Sequence, residues 1–192
     1  HEIPTAEYES FSDINSALKY LNHSSIPIVI KADGLAAGKG VTVAETRKEA
    51  EKAIRKCLEK GSFGEAGKKV IIEEFLKGEE ASFIVLTDGN VILPLASSQD
   101  HKTRDNKDKG PNTGGMGAYS PAPVVTNEVH QRIMDEVITP TIKGLLKEGI
   151  NYCGFLYAGL MIDQEENIKV LEFNCRFGDP ETQPVMMRME SD

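Results

Sequence analysis

The chain of 192 residues is 40% hydrophobic and 27% charged, proportions of an ordinary folded protein long enough for one large core or two small lobes. Lys plus Arg number 22 against 30 Asp plus Glu, a net charge of −8, so a broad nucleic-acid surface is excluded and any bound anion needs a local site. Cys57, Cys153 and Cys175 form no CxxC pair, which argues against a disulfide framework or zinc knuckle and fits a reducing cytoplasm. The longest apolar run, GFLYAGLMI at 154–162, falls short of the ~20 residues of a spanning helix, and no signal pattern opens the chain, so no membrane role is expected.

After a polar start, SDINSALKYLNH (12–23) predicts a short helix and IPIVIKAD (26–33) a buried strand rich in β-branched residues. A glycine loop from Gly34 to Gly40 leads into VTVA, a second strand. Thr46 and Glu49 make a capping box, and Ala50, Ala53, Ile54, Cys57 and Leu58 follow at helical spacing, which assigns Cys57 to packing. KVIIEEFL (69–76) reads as a strand, and ASFIVLTD with VILPLASS as a hairpin turning at Gly89 and Asn90. From Gln99 to about Pro123 no periodicity is present, and a loop of that length is usually functional or disordered. Thr126–Lys147 predicts a long helix kinked by Pro140, with Val129, Ile133, Val137, Ile142 and Leu145 inward. FLYAGLMID and IKVLEFN then pair across QEEN, and DPETQPVMMRM begins a last helix. Strands joined by hairpins and mixed with helices predict α+β lobes and no all-parallel sheet.

The loop GLAAGKG has three residues between Gly34 and Gly38, where a P-loop has four, and Gly40 stands where a P-loop carries its hydroxyl. A P-loop also opens into a helix, whereas this loop is flanked by strands. Two readings remain for it: a flap closing over a nucleotide, with Lys31 aimed at phosphates, or a tight hairpin needing positive φ. In VLEFNCRFGDPE (170–181), Glu172 and Asn174 fall two apart on a strand and so share a face, with Phe173 turned into apolar packing. Two adjacent oxygen donors suit a hard cation such as Mg²⁺ completed by phosphate and water, and a solvated polar face is the bland alternative. Asp179 caps a helix with Pro180 at its first position. Arg176 is suited to a phosphate or carboxylate, or to a surface ion pair. Cys175 has no neighbouring base to make it a nucleophile.

Taken together, IPTAEY, IKADGLAAGKGV, IIEEFLKGEEASF, SQDHK, GPNTGGMGAYSPAP, GFLYAGLMI and LEFNCRFGDPETQP resemble the glycinamide ribonucleotide synthetase (phosphoribosylamine–glycine ligase) family of ATP-grasp enzymes. The most specific stretches are GPNTGGMGAY and EFNCRFGDPE. The resemblance implies an α+β ATP-grasp fold of two lobes holding the nucleotide between their sheets, about 10–80 and 81–192. It implies ATP with Mg²⁺ or Mn²⁺, and glycine and 5-phosphoribosylamine as substrates. Lys31 would contact the phosphates, and Gly34, Gly38, Lys39 and Gly40 would belong to the flap. Glu73, Glu74, Phe75 and Leu76 would form the hinge strand at the adenine, with Glu80 on the ribose. Glu172 and Asn174 would bind the metal. A further acidic ligand of the wider superfamily falls at Gly159 here, leaving water or phosphate to complete the count. Asp100, His101, Lys102, Asn112, Thr113, Gly114, Gly115, Met116, Gly117, Arg176 and Asp179 would cover the substrates, Asp100 and Arg176 being the catalytic candidates.

The implied reaction is attack of the glycine carboxylate on the γ-phosphate of ATP, then attack of the phosphoribosylamine amine on the resulting glycyl phosphate. The rivals are another ATP-grasp carboxylate–amine ligase or carboxylase, against which GPNTGGMGAY speaks, and a nucleotide-binding module without turnover. The chain opens on HEIPTAEYE without an initiator Met and stops at MRMESD. The expectation is a segment of a longer polypeptide, flanking lobes absent, inactive or weak alone, and compatible with fusion to other purine-pathway enzymes.

Overall fold

The computed structural model describes residues 1–34, 40–59, 67–106 and 109–190. The chain divides into two units, one of Ala6–Leu76 and the other of His1–Thr5 with Lys77–Asp192. The division after Leu76 falls a few residues before the approximate boundary expected at 80. His1–Thr5 belongs to the larger unit because Val170 N–H donates to the Pro4 carbonyl at 2.8 Å and Thr5 Oγ1 donates to the Val170 carbonyl at 2.8 Å.

The smaller unit is a four-stranded antiparallel sheet with two helices on one face. Its strands are β1 (Tyr8–Phe11), β2 (Ile28–Ala32), β3 (Val41–Ala44) and β4 (Val70–Glu74), in the order β1-β4-β2-β3. The polar start of the sequence hid β1, a short edge strand paired with β4. Helix α1 (Ile14–His23) is capped by Asp13, whose carboxylate accepts from Ser16 N–H at 2.8 Å. Helix α2 (Arg47–Leu58) starts on the expected capping box, with Thr46 and Glu49 bonded in both directions. Both helices lay their apolar stripes on Ile28 and Ile30 of β2 and Val70 and Ile72 of β4, and Cys57 is buried in that core.

The larger unit carries a second antiparallel sheet, β12-β11-β5-β6, from β5 (Glu79–Thr87), β6 (Ile92–Pro94), β11 (Gly154–Ile162) and β12 (Ile168–Asn174). The β5–β6 turn is held by Asp88, which accepts from the N–H groups of Asn90 and Val91, with Gly89 at φ +96°. Beyond Pro94 the regular strand ends, but Leu95 N–H still donates to the Ile84 carbonyl of β5 at 2.9 Å and the chain bridges β5 again at Ser82–Ser98. The stretch expected to be without structure contains two small ladders. One pairs β7 (Gln99–Asp100) with β10 (Ala118–Tyr119), the other β8 (Thr103–Asp105) with β9 (Lys109–Asn112). Their strands are too short for a hydrophobic period to register.

The long helix also differs from expectation. It runs as α3 (Asn127–Arg132), a π-helical stretch (Ile133–Ile138) and α4 (Thr139–Lys147). Pro140, with no N–H to return to residue 136, follows a widened turn, so the helix accommodates it by changing winding. The extra residue per turn brings Ile138 inward beside Val137, and both are fully buried. With Val129, Ile133 and Ile142 they pack on Ala81, Phe83 and Val85 of β5 and on Leu156, Ala158, Leu160 and Ile162 of β11. The last helix, α5 (Thr182–Met186), has its N-cap position at Glu181, two residues later than the expected Asp179. The Gly178 carbonyl receives the Thr182 N–H at 3.2 Å, and Asp179 stays exposed in the turn before it. No helix among the described residues is long and apolar enough to cross a membrane.

Candidate active site

In each unit the helices cover one sheet face, and the strand period of two sends the intervening side chains to the other. In the smaller unit that second face carries Lys31 and Glu73, diagonal neighbours on β2 and β4. Lys31 Nζ lies 2.6 Å from Glu73 Oε2, the side chains being 23% and 17% exposed. On the same face β3 presents Val41 and Val43 to solvent. The mouth of the glycine loop is pinned where Ala32 N–H donates to the Gly40 carbonyl at 2.9 Å and Asp33 pairs with Lys69 at 3.2 Å. Gly34 sits at this mouth, whereas Gly38 and Lys39 lie outside the described residues. Glu74 ends β4 with its N–H on the Glu7 carbonyl and its carboxylate accepting from Glu7 N–H. Phe75 and Leu76 follow, both half-buried.

In the larger unit a β-bulge determines which residues reach the second face. Ile168 and Val170 of β12 are buried against the helices, and strict alternation would send Glu172 and Asn174 after them. The register instead shifts between Gly159 and Leu160: Val170 stands opposite Leu160, but Glu172 stands opposite Gly159 and Asn174 opposite Tyr157. Leu171 is the extra residue, and it turns Glu172 and Asn174 to the face away from the helices. Phe173 then falls opposite Ala158 on the helix-covered side, yet it stays 38% exposed, against its expected place in apolar packing. Asn174 Nδ2 donates to Glu172 Oε1 at 3.2 Å, which sets a carboxylate and an amide side by side. Two oxygens suit a hard cation that brings phosphates and water to complete its shell. No cluster of three or more His, Cys, Asp or Glu able to hold a metal occurs among the described residues.

The substrate-loop candidates are brought together by backbone pairing. His101 N–H donates to the Gly117 carbonyl at 3.0 Å, Met116 N–H to the His101 carbonyl at 2.8 Å, and Thr113 N–H to the Lys102 carbonyl at 2.6 Å. Asp100 pairs with Ala118, and Asn112 with Thr103. The GPNTGGMGAY stretch therefore folds back along QDHK. Gly115, at φ +120°, allows the closest approach: a Cβ there would lie 2.5 Å from Pro180 Cδ and 3.1 Å from Asp100 Oδ1. Gly114 has open space around it, and Met116 is 59% exposed. Lys102 forms an ion pair with Glu80. Burial by itself would depress the Lys102 ammonium, but the Glu80 carboxylate and the charges of Glu172 and Asp100 together outweigh it and hold the group above its ordinary value.

Asp100 Oδ1 is buried without a hydrogen-bond partner among the described residues. Burial, then the charge of Glu181 and less strongly that of Glu80, pushes its carboxyl up to about 6, against the pull of Lys102 and His101. Arg176 and Asp179 are exposed, and Arg176 donates to the Phe177 carbonyl at 2.7 Å. Three residues with no role assigned from the sequence complete this face. Glu181, 2% exposed, accepts from Ser82 Oγ at 2.7 Å and from Tyr157 Oη at 3.1 Å. A hydroxyl in the otherwise apolar ASFIVL was the one sequence signal for Ser82.

A family sequence profile described as the phosphoribosylglycinamide synthetase ATP-grasp (A) domain matches residues 1–182. The phosphoribosylamine–glycine ligase of Escherichia coli O6:H1 is 66% identical over the whole chain, which spans 45% of that relative's length. Among solved structures, the phosphoribosylamine–glycine ligase of Thermotoga maritima matches with a TM-score of 0.80 and 37% identity over 96% of this chain and 46% of its own. Biotin carboxylase from Campylobacter jejuni, at 18% identity, matches with a TM-score of 0.73 over 96% of this chain and 39% of its own, a likeness of fold. With residues 1–182 matching the profile and a helix-backed antiparallel sheet in each unit, the chain belongs to the phosphoribosylglycinamide synthetase ATP-grasp domain family.

Proposed function

We propose that the chain is the nucleotide-binding and metal-binding part of an enzyme that joins glycine to 5-phosphoribosylamine at the expense of ATP, giving glycinamide ribonucleotide, ADP and phosphate. The observation that carries this is the 66% identity, over every residue of the chain, to phosphoribosylamine–glycine ligases about twice as long. Substrates and acceptor are assigned through those relatives. The roles of individual side chains rest on the chemistry of the two open faces.

ATP enters with Mg²⁺ or Mn²⁺. Glu172 and Asn174 are the residues suited to hold the ion, which neutralises phosphate charge when bound. Lys31 is the phosphate contact of the smaller unit, and a phosphate there competes with Glu73 for its ammonium. Val41 and Val43 offer an apolar surface to the base, the hinge at Glu73–Leu76 its polar edge, and Glu80 an acceptor for the ribose hydroxyls. In our account the glycine carboxylate attacks the γ-phosphorus as its bond to the β,γ-bridging oxygen breaks and ADP leaves, and the amine of phosphoribosylamine then attacks the acyl carbon of the glycyl phosphate. That bond forms as the C–O bond to phosphate breaks, with the electron pair leaving on phosphate. The protein's share is alignment, offsetting negative charge with Lys31, Lys102 and Arg176, and keeping water from the acyl phosphate. Asp100, His101, Lys102 and Asn112–Gly117, with Arg176 and Asp179, are the candidates for covering glycine and the sugar phosphate.

The test measures ADP release with MgATP and glycine while the amine acceptor is varied, for the 192-residue chain beside a form extended to the length of its relatives. We expect release to require phosphoribosylamine and to be strong only in the extended form. Release with a different amine, and none with phosphoribosylamine, would contradict the proposal.

A further inference from the structure

A carboxylate that is 2% exposed is costly to bury unless it is well bonded. Glu181 meets this cost with two hydroxyls, Ser82 Oγ at 2.7 Å and Tyr157 Oη at 3.1 Å, which are themselves 2.8 Å apart, and with no cation among the described residues. Ser82 belongs to β5 and Tyr157 to β11, so one side chain ties the turn before α5 to both central strands. The turn passes directly over it: a Cβ on Gly178 would lie 2.4 Å from Glu181 Oε2. Pro180, its chain neighbour, and Asp100 both close on Gly115, where a Cβ would lie 2.5 Å from Pro180 Cδ and 3.1 Å from Asp100 Oδ1.

We propose that Glu181 is a positioning residue: its buried carboxylate clamps the turn carrying Arg176 and Asp179 against β5 and β11 and imposes its uncompensated charge on Asp100. Among the described residues, the titratable groups whose charge bears on Asp100 are Glu181, Glu80, Lys102 and His101. Of the two acids, Glu181 has no cationic partner among the described residues, whereas Glu80 is paired with Lys102. A more basic Asp100 suits a step in which the attacking amine loses a proton as its bond to the acyl carbon forms, Asp100 taking that proton. This last role rests on the ligation proposed above. The clamp and its charge do not.

The test is read on the chain without substrates, so it is independent of whether ligation occurs. Aspartate is labelled with ¹³C at the carboxyl, and Asp100 is assigned by the signal lost in Asp100→Asn. We expect the Asp100 midpoint near pH 6 to fall by about one pH unit in Glu181→Gln, which keeps an acceptor for Ser82 and Tyr157 but removes the charge. Tyr157→Phe, which removes one hydrogen bond and keeps the charge, should leave the midpoint within about 0.3 unit. If Glu181→Gln does not fold, Glu181→Asp, whose charge is drawn back by one methylene, should lower the midpoint by a smaller amount. An unshifted midpoint in a folded Glu181 variant, an equal shift in Tyr157→Phe, or a wild-type midpoint near the ordinary ~4 overturns the proposal.

Discussion

Glu172 offers a cation one ionised oxygen pair, and Glu172→Gln replaces it with a neutral amide of the same shape. Because the side chain is exposed on the open face of β12, the fold should tolerate the change. Turnover in the extended enzyme should fall by more than the ~100-fold typical of losing an outer-shell partner, with near-wild-type activity removing Glu172 from the site. Asp100 carries a pH signature. Its folded value of about 6 lies above the ~3.9 of an unfolded aspartate, so the native state holds the proton more tightly. The contribution of this group to stability is therefore full below about pH 4 and is lost as pH rises through about 6. Asp100→Asn should make the chain more resistant to urea than wild type at pH 7.5, with the advantage shrinking toward pH 4. A gap that does not change with pH contradicts the assignment.

Elements whose determinants are local were legible in the sequence, and those fixed by distant partners were not. The start of α2 is set by Thr46 and Glu49 three residues apart, and the structure has both bonds. Thr46→Ala should accordingly cost about 1 kcal/mol of stability, seen as a lower urea midpoint. The β5–β6 turn was equally readable from Gly89 and Asn90. By contrast, β1 exists because β4, some 60 residues away, supplies its partners. The ladders within 99–119 are held by backbone groups and carry no hydrophobic period. The pairing of Glu172 with Asn174 on one face followed from spacing, but which face they take depends on the bulge at Leu171, which alternation alone gets wrong. Pro140 announced a disturbance of its helix and not its form, a π turn that buries Ile138. Glu181 carries no signal of its own in the sequence: with Asp179 before Pro180 reading as the helix cap, an acid two residues later fits an ordinary first-turn position.

Each unit has its own core, Ile30, Ile54 and Ile72 in one and Phe83, Ile133 and Leu160 in the other. Phe83→Ala, fully buried beneath the helices of the larger unit, should cost about 3–5 kcal/mol, enough to remove much of the stability of a domain this size. Ligand linkage gives a complementary check, since MgATP at about 100 times its dissociation constant should stabilise the chain by about 2.7 kcal/mol. A Lys31→Ala variant should need more nucleotide for the same rise in melting temperature, and an equal response in both would discount Lys31 as a phosphate contact. The most direct test of the whole account follows the oxygen atoms. With glycine labelled with ¹⁸O in both carboxylate positions, the extended enzyme, MgATP and phosphoribosylamine, an acyl phosphate pathway transfers one labelled oxygen to inorganic phosphate and leaves one in the amide of the product. Mass spectrometry should find one ¹⁸O per phosphate released, whereas unlabelled phosphate formed alongside product would contradict ligation through glycyl phosphate.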